Sequence, residues 1–70
     1  MLPKQLWAEM TTEEFRSSDT SSWIAVLPIA AVEQHGPHLA VAVDTVIADG
    51  NVQAVRDILP KGLPATFLPT

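Results

Sequence analysis

Seventy residues carry eight acidic and four basic side chains, for a formal charge of -4, and 47% of them are hydrophobic while only 17% are charged. Such a chain makes at most one small domain, near the size where burial is marginal, and holds more apolar surface than it can easily hide. Lys4, Arg16, Arg56 and Lys61 are scattered, which excludes the clustered basic face that nucleic acid requires.

The chain has no cysteine, so disulfide frameworks and thiolate metal sites are excluded and a cytoplasmic location is expected. No apolar run approaches the ~20 residues that span a bilayer, so no membrane partner is expected. The opening MLPKQLWAEM lacks the charged start and long apolar core of a secretory signal.

Leu6, Trp7 and Met10 stand at roughly helical spacing and predict a single turn docked on the body. Thr11-x-x-Glu14 is a capping box, which opens a short helix over Thr12 to Ser17 with Phe15 turned inward. Ser17 to Ser22 is a polar loop. Trp23 to Leu27 (WIAVL) is an unbroken apolar run, predicting a strand covered on both faces. Pro28 cannot donate to a ladder and ends it. Ile29 to Gly36 is extended or irregular, and Gly36-Pro37 marks a turn.

Asp44 to Leu59 predicts a helix, with Ala48, Val52, Val55 and Leu59 forming one apolar stripe and Asp44 placed as its N-cap. Gly50 in its interior costs roughly 1 kcal/mol against Ala. Pro60-Lys61-Gly62 stops the helix, and Ala65 to Leu68 begins a second strand. Strand, crossover helix and strand make a βαβ unit with parallel strands, which need cover on both faces. The fold class is therefore α/β, with residues 1–70 the opening βαβ unit of a larger three-layer α/β/α sandwich around a parallel sheet.

The chemistry lies in the crossover. Glu33 and His35 are two apart and project to the same side of extended backbone. Asp44 follows at the mouth of the next helix, and ligands of open α/β sheets gather outside the carboxyl ends of the strands. Glu33, after an apolar run, is expected to be buried and to need a cation. Two carboxylates and one imidazole suit Zn, Mn or a related divalent ion. Each residue also has a plainer reading: Asp44 as a cap, His35 as a hydrogen-bonded loop residue.

The stretch LPIAAVEQHGPHLAVAVDTVIA resembles the opening motif of the creatininase (creatinine amidohydrolase) family, approximately LPxGSxEQHGPHLPxxTDxxIA. The unbroken run from Glu33 to Leu39 carries the likeness, with Asp44, Ile47 and Ala48 at matching offsets. Ala30-Ala31 replaces Gly-Ser, Ala40 a common Pro, and Val43 a common Thr. The N-terminal helix and both strand segments also suit the family.

The resemblance implies a pair of divalent ions, Zn or Mn with Fe or Mg as alternatives. Glu33 and His35 would each bind a different ion and Asp44 would be shared. His38, Gln34 and Gly36 would orient ligands or shape the loop. It implies a shared, acidified water and a polarised amide carbonyl, acting on non-peptide C–N bonds of small or cyclic amides. Relatives that deformylate a formamide or trim a peptide in cofactor synthesis are the alternatives within the family. A homo-oligomeric parent is implied too.

The resemblance also implies a chain of about 250 residues, within the range of a single large domain, so further ligands and the substrate pocket are expected in later sequence. Amidohydrolase activity is thus expected of the parent, not of these residues alone. The reading from a different class is an inactive fragment, or a weak metal-binding or assembly module.

Overall fold

A computed structural model describes residues 2–70. In chain order it contains a 3-10 turn at Trp7–Glu9, helix α1 (Thr12–Ser17), a second 3-10 turn at Thr20–Ser22, strand β1 (Ile24–Val26), helix α2 (Val43–Ile58) and strand β2 (Ala65–Phe67). Every element predicted from the sequence is present, within two residues at each end.

The capping box forms in full. The Glu14 backbone N–H donates to Thr11 Oγ1 at 3.2 Å, and the Thr11 N–H donates to the Glu14 carboxylate at 3.0 Å. Lys4 adds an ion pair to the same carboxylate at 3.1 Å. The Thr11 N–H and then Lys4 hold the Glu14 carboxyl below its ordinary pKa. Phe15 turns inward as expected. Its ring lies 4.6 Å from that of Trp7 and 6.1 Å from that of Trp23, both tilted, so α1 is fixed by an aromatic cluster.

β1 and β2 pair in parallel, Ile24 opposite Ala65 and Val26 opposite Phe67. The far edge of β2 is met by the N-terminal segment. Leu6 bridges to Phe67, and the Phe67 N–H donates to the Gln5 carbonyl at 2.8 Å. β2 is consequently the centre of the structure. Ala65, Thr66 and Phe67 are buried, with Thr66 fully so, and its hydroxyl donates to the Gln5 carbonyl.

β1 departs from expectation. A strand covered on both faces was predicted, but Ile24 is 47% exposed and Ala25 is exposed. The apolar run was read correctly as a strand. Its outer flank has no neighbouring strand among the described residues.

α2 turns its stripe of Ala48, Val52, Val55 and Leu59 toward Ile24 and Val26 across an open groove of about 500 Å³. Polar ties hold the helix in place. Arg56 donates to the Gln5 side chain at 3.1 Å, and the Thr70 hydroxyl donates to Asp49 at 2.6 Å. Leu59 leaves helical backbone before Pro60, and Gly62 takes a positive φ of 91° in the following turn. None of the described helices is long and apolar enough to cross a membrane.

Two outcomes follow for stability. No atom lies within 4 Å of a Cβ placed on Gly50, so Gly50→Ala should stabilise the chain by about 1 kcal/mol in denaturant unfolding; destabilisation would show that α2 is not helical there. Because Glu14 titrates below its unfolded value, its contribution is present above that value and disappears as pH falls through the folded one. Glu14→Gln should therefore melt below the parent near neutral pH, with the gap closing on acidification.

Candidate metal centre

The loop between β1 and α2 begins at the carboxyl end of β1 and is closed on itself. The Glu33 N–H donates to the Val41 carbonyl at 3.0 Å, which ties the outgoing and returning arms together. At its tip the Gly36 N–H donates to the Gln34 side-chain oxygen at 2.9 Å. Gly36 has a φ of 80°, a conformation that costs an L residue roughly 1–2 kcal/mol. The Gln34 bond and the Gly36 backbone together turn the chain so that His35 faces inward.

α2 supplies the third member. Asp44 was expected as the N-cap, and that expectation is corrected. The N-cap is Ala42, with no side-chain cap, and Asp44 lies inside the first turn. The cap falls two residues earlier because the Val43 N–H reaches the Ala40 carbonyl and the Val46 N–H reaches that of Ala42. This frees the Asp44 carboxylate from capping. It stands 3.3 Å from His35 Nε2 instead.

One ligand atom each of Glu33, His35 and Asp44 lies within 4.8 Å of the others. Glu33 is exposed, whereas His35 and Asp44 are partly buried. The expectation that Glu33 is a buried carboxylate in need of a cation is thus overturned, since among the described residues it is left exposed. Its case rests on proximity to the other two.

The donor chemistry accommodates a divalent ion. His35 Nε2 is buried and makes no hydrogen bond, although Asp44 Oδ1 is close. A buried ring nitrogen without a partner is costly. Atoms 3.3 Å apart can both stand about 2.0–2.2 Å from one ion, the range for imidazole nitrogen and carboxylate oxygen on zinc. An ion between them would satisfy the orphaned nitrogen.

His38 is exposed and stands outside this group. Its Nδ1 lies 3.9 Å from where a side chain on Gly36 would begin. Asn51, not singled out from sequence, lines the same hollow as Asp44 together with Ile29 and Ala31. Its signal was the helical offset of seven from Asp44, which puts both on one face.

The family model for creatininase, described as creatinine amidohydrolase, matches residues 8–70. No curated protein and no solved structure matches the chain.

Gly36→Ala should shift the His35 imidazole resonances and lower stability by about 1 kcal/mol, because the alanine resists the positive φ. Unchanged histidine spectra would show that the turn does not position His35.

Proposed function

The chain belongs to the creatininase family, and on that premise we propose that it supplies the first metal-binding loop of a dinuclear, metal-dependent amidohydrolase. The observation that carries this reading is the approach of Glu33, His35 and Asp44, with the His35 nitrogen buried and unbonded between loop and helix. Glu33 and His35 would each hold a different ion, and Asp44, with two oxygens, would serve both. Zn or Mn suits this set, with Fe or Mg as alternatives.

Two divalent ions held here would supply a water acidic enough to ionise near neutral pH and polarise an amide carbonyl. The chain's own residues do the positioning. The Gln34–Gly36 turn orients His35, the Glu33–Val41 bond fixes the root of the loop, and the start of α2 holds Asp44 toward the imidazole. The substrate class is a small or cyclic amide, with a formamide or a short peptide as alternatives within the family. The reading takes the two parallel strands as the beginning of a three-layer α/β/α sandwich in a cytoplasmic, homo-oligomeric parent.

A second reading has its own support. Three donors are too few for two ions that each take about four or more ligands, and among the described residues only Met10, Ala65, Thr66 and Phe67 are buried. Both facts favour a weak metal-binding or assembly module without turnover for these residues by themselves.

Calorimetric titration of the chain with Zn²⁺ and with Mn²⁺ tests the ligand set. His35→Ala and Asp44→Ala should each weaken binding about tenfold or more, the range seen when even a supporting residue of a metal site is removed, while His38→Ala should leave it nearly unchanged. Binding that survives both ligand substitutions would overturn the assignment. Creatinine hydrolysis by the metal-loaded parent, lost in both variants, supports the amidohydrolase; metal binding by the parent without turnover supports the second reading.

A further inference from the structure

Gln5 joins three parts of the chain. Its backbone carbonyl accepts from the Phe67 N–H at 2.8 Å and from the Thr66 hydroxyl at 3.1 Å, and Thr66 is fully buried. Its side-chain oxygen accepts from Arg56 Nε at 3.1 Å, 51 residues away on α2. On either side of it, Leu6 bridges to Phe67 and Lys4 pairs with Glu14 of α1 at 3.1 Å. Gln5 is therefore pinned in place, and it precedes the residues shared with the family.

The Arg56 end of this link is equally prepared. Its guanidinium also donates to Gln53 at 3.1 Å, and Gln53 donates in turn to Asp57 at 2.9 Å. Guanidinium donors lie in a fixed fork, so the second bond sets the direction of the first. Gln5 and Arg56 are both partly buried, and a hydrogen bond to a charged group contributes about 1.5–3 kcal/mol.

α2 has another tie seven residues earlier, where Asp49 accepts from the Thr70 hydroxyl at 2.6 Å. Seven residues make about two turns, so both ties lie on one face of the helix. Two ties on one face fix tilt and roll together, whereas one tie is a pivot. Asp44 stands five residues before Asp49. At 1.5 Å per residue that is about 7.5 Å, and a swing of about 10° displaces Asp44 by about 1.3 Å. Ligand distances in a metal site hold to about 0.2 Å. His35 stands on the loop and not on α2, 3.3 Å from the Asp44 carboxylate, so a swing of the helix changes their separation.

We propose that Gln5 is a positioning residue for the metal centre: by clamping Arg56 to β2 it sets the tilt of α2 and thereby the approach of Asp44 to His35. The proposal rests on reading Glu33, His35 and Asp44 as metal ligands. Gln5 itself touches neither ion nor substrate. It acts through the helix.

Zn²⁺ affinity of the parent protein, measured by competition with a chelator, tests the clamp. Gln5→Met keeps the length of the side chain but removes the acceptor, and should raise the zinc Kd about tenfold, the effect of losing a supporting partner of a metal site. Gln5→Glu offers Arg56 a charged acceptor and should restore the Kd. Arg56→Met should match Gln5→Met, and the double variant should lose no more than either one. In the metal-free protein, the His35 ring-carbon resonance should shift in Gln5→Met and return in Gln5→Glu. Arg16→Ala, which breaks the exposed pair with Glu13, should leave the zinc Kd unchanged. An unaltered Kd in Gln5→Met beside weakened binding in His35→Ala would overturn the clamp and spare the ligand set. No rescue by Gln5→Glu, or additive losses in the double variant, would likewise overturn it. Zinc binding that survives His35→Ala would instead overturn the ligand set, and the proposal with it.

Discussion

Parallel pairing of β1 with β2 is the constraint from which the rest of the structure follows. Parallel strands cannot be joined by a tight turn, so the chain must travel from the carboxyl end of one strand back to the amino end of the next. Here that journey takes Leu27 to Pro64 and contains α2 and the whole Glu33–His35–Asp44 group. The site stands where it does because the crossover must leave β1 at its carboxyl end. The loop then meets the first turn of the helix that follows it in sequence.

The same pairing decides where burial is found. β2 has backbone partners on both sides, β1 and the Gln5–Leu6 segment, and it is the buried one of the two described strands. β1 has one partner and is exposed, though the two strands are similar in apolar character. Burial here tracks position in the sheet more than composition. α2 follows the same rule: its apolar stripe faces the sheet across a groove, and bonds such as Arg56 to Gln5 and Asp49 to Thr70 hold it there. The outline is accordingly long, 48 × 25 × 15 Å, with a radius of gyration of 14.7 Å against about 11 Å for a compact chain of this length.

Local signals were legible in the sequence wherever they depend on neighbours a few residues away. The Thr11–Glu14 box, the stop at Pro60-Lys61-Gly62 and the Gly36 turn all formed as the residues dictate, because caps and turns close within one or two turns of chain. The parallel arrangement was legible too, since it follows from element order. Burial was not. Glu33 was expected inside and lies outside, and Trp23 to Leu27 was expected to be covered on both faces. Both expectations assumed neighbours that an apolar run implies but does not itself provide. A hydrophobic sequence reports what a segment would bury if something packed on it.

Asp44 shows how the local role a sequence suggests can differ from the one the structure gives. As an N-cap its carboxylate would accept from backbone N–H groups of its own helix, and it would then be unavailable to His35. The helix begins one residue before Asp44, with Ala42 as a cap that offers no side-chain oxygen. Forgoing a side-chain cap costs about 1 kcal/mol. A carboxylate in the first turn still gains from the helix dipole without a direct bond, which offsets part of that loss. What the arrangement leaves is an aspartate held at the helix mouth, directed at a buried imidazole nitrogen with no other partner. Local stability alone favours a capping side chain at Ala42 and a bonded His35. The observed arrangement sacrifices both at one place, and an ion shared by the two side chains would recover the loss at the nitrogen.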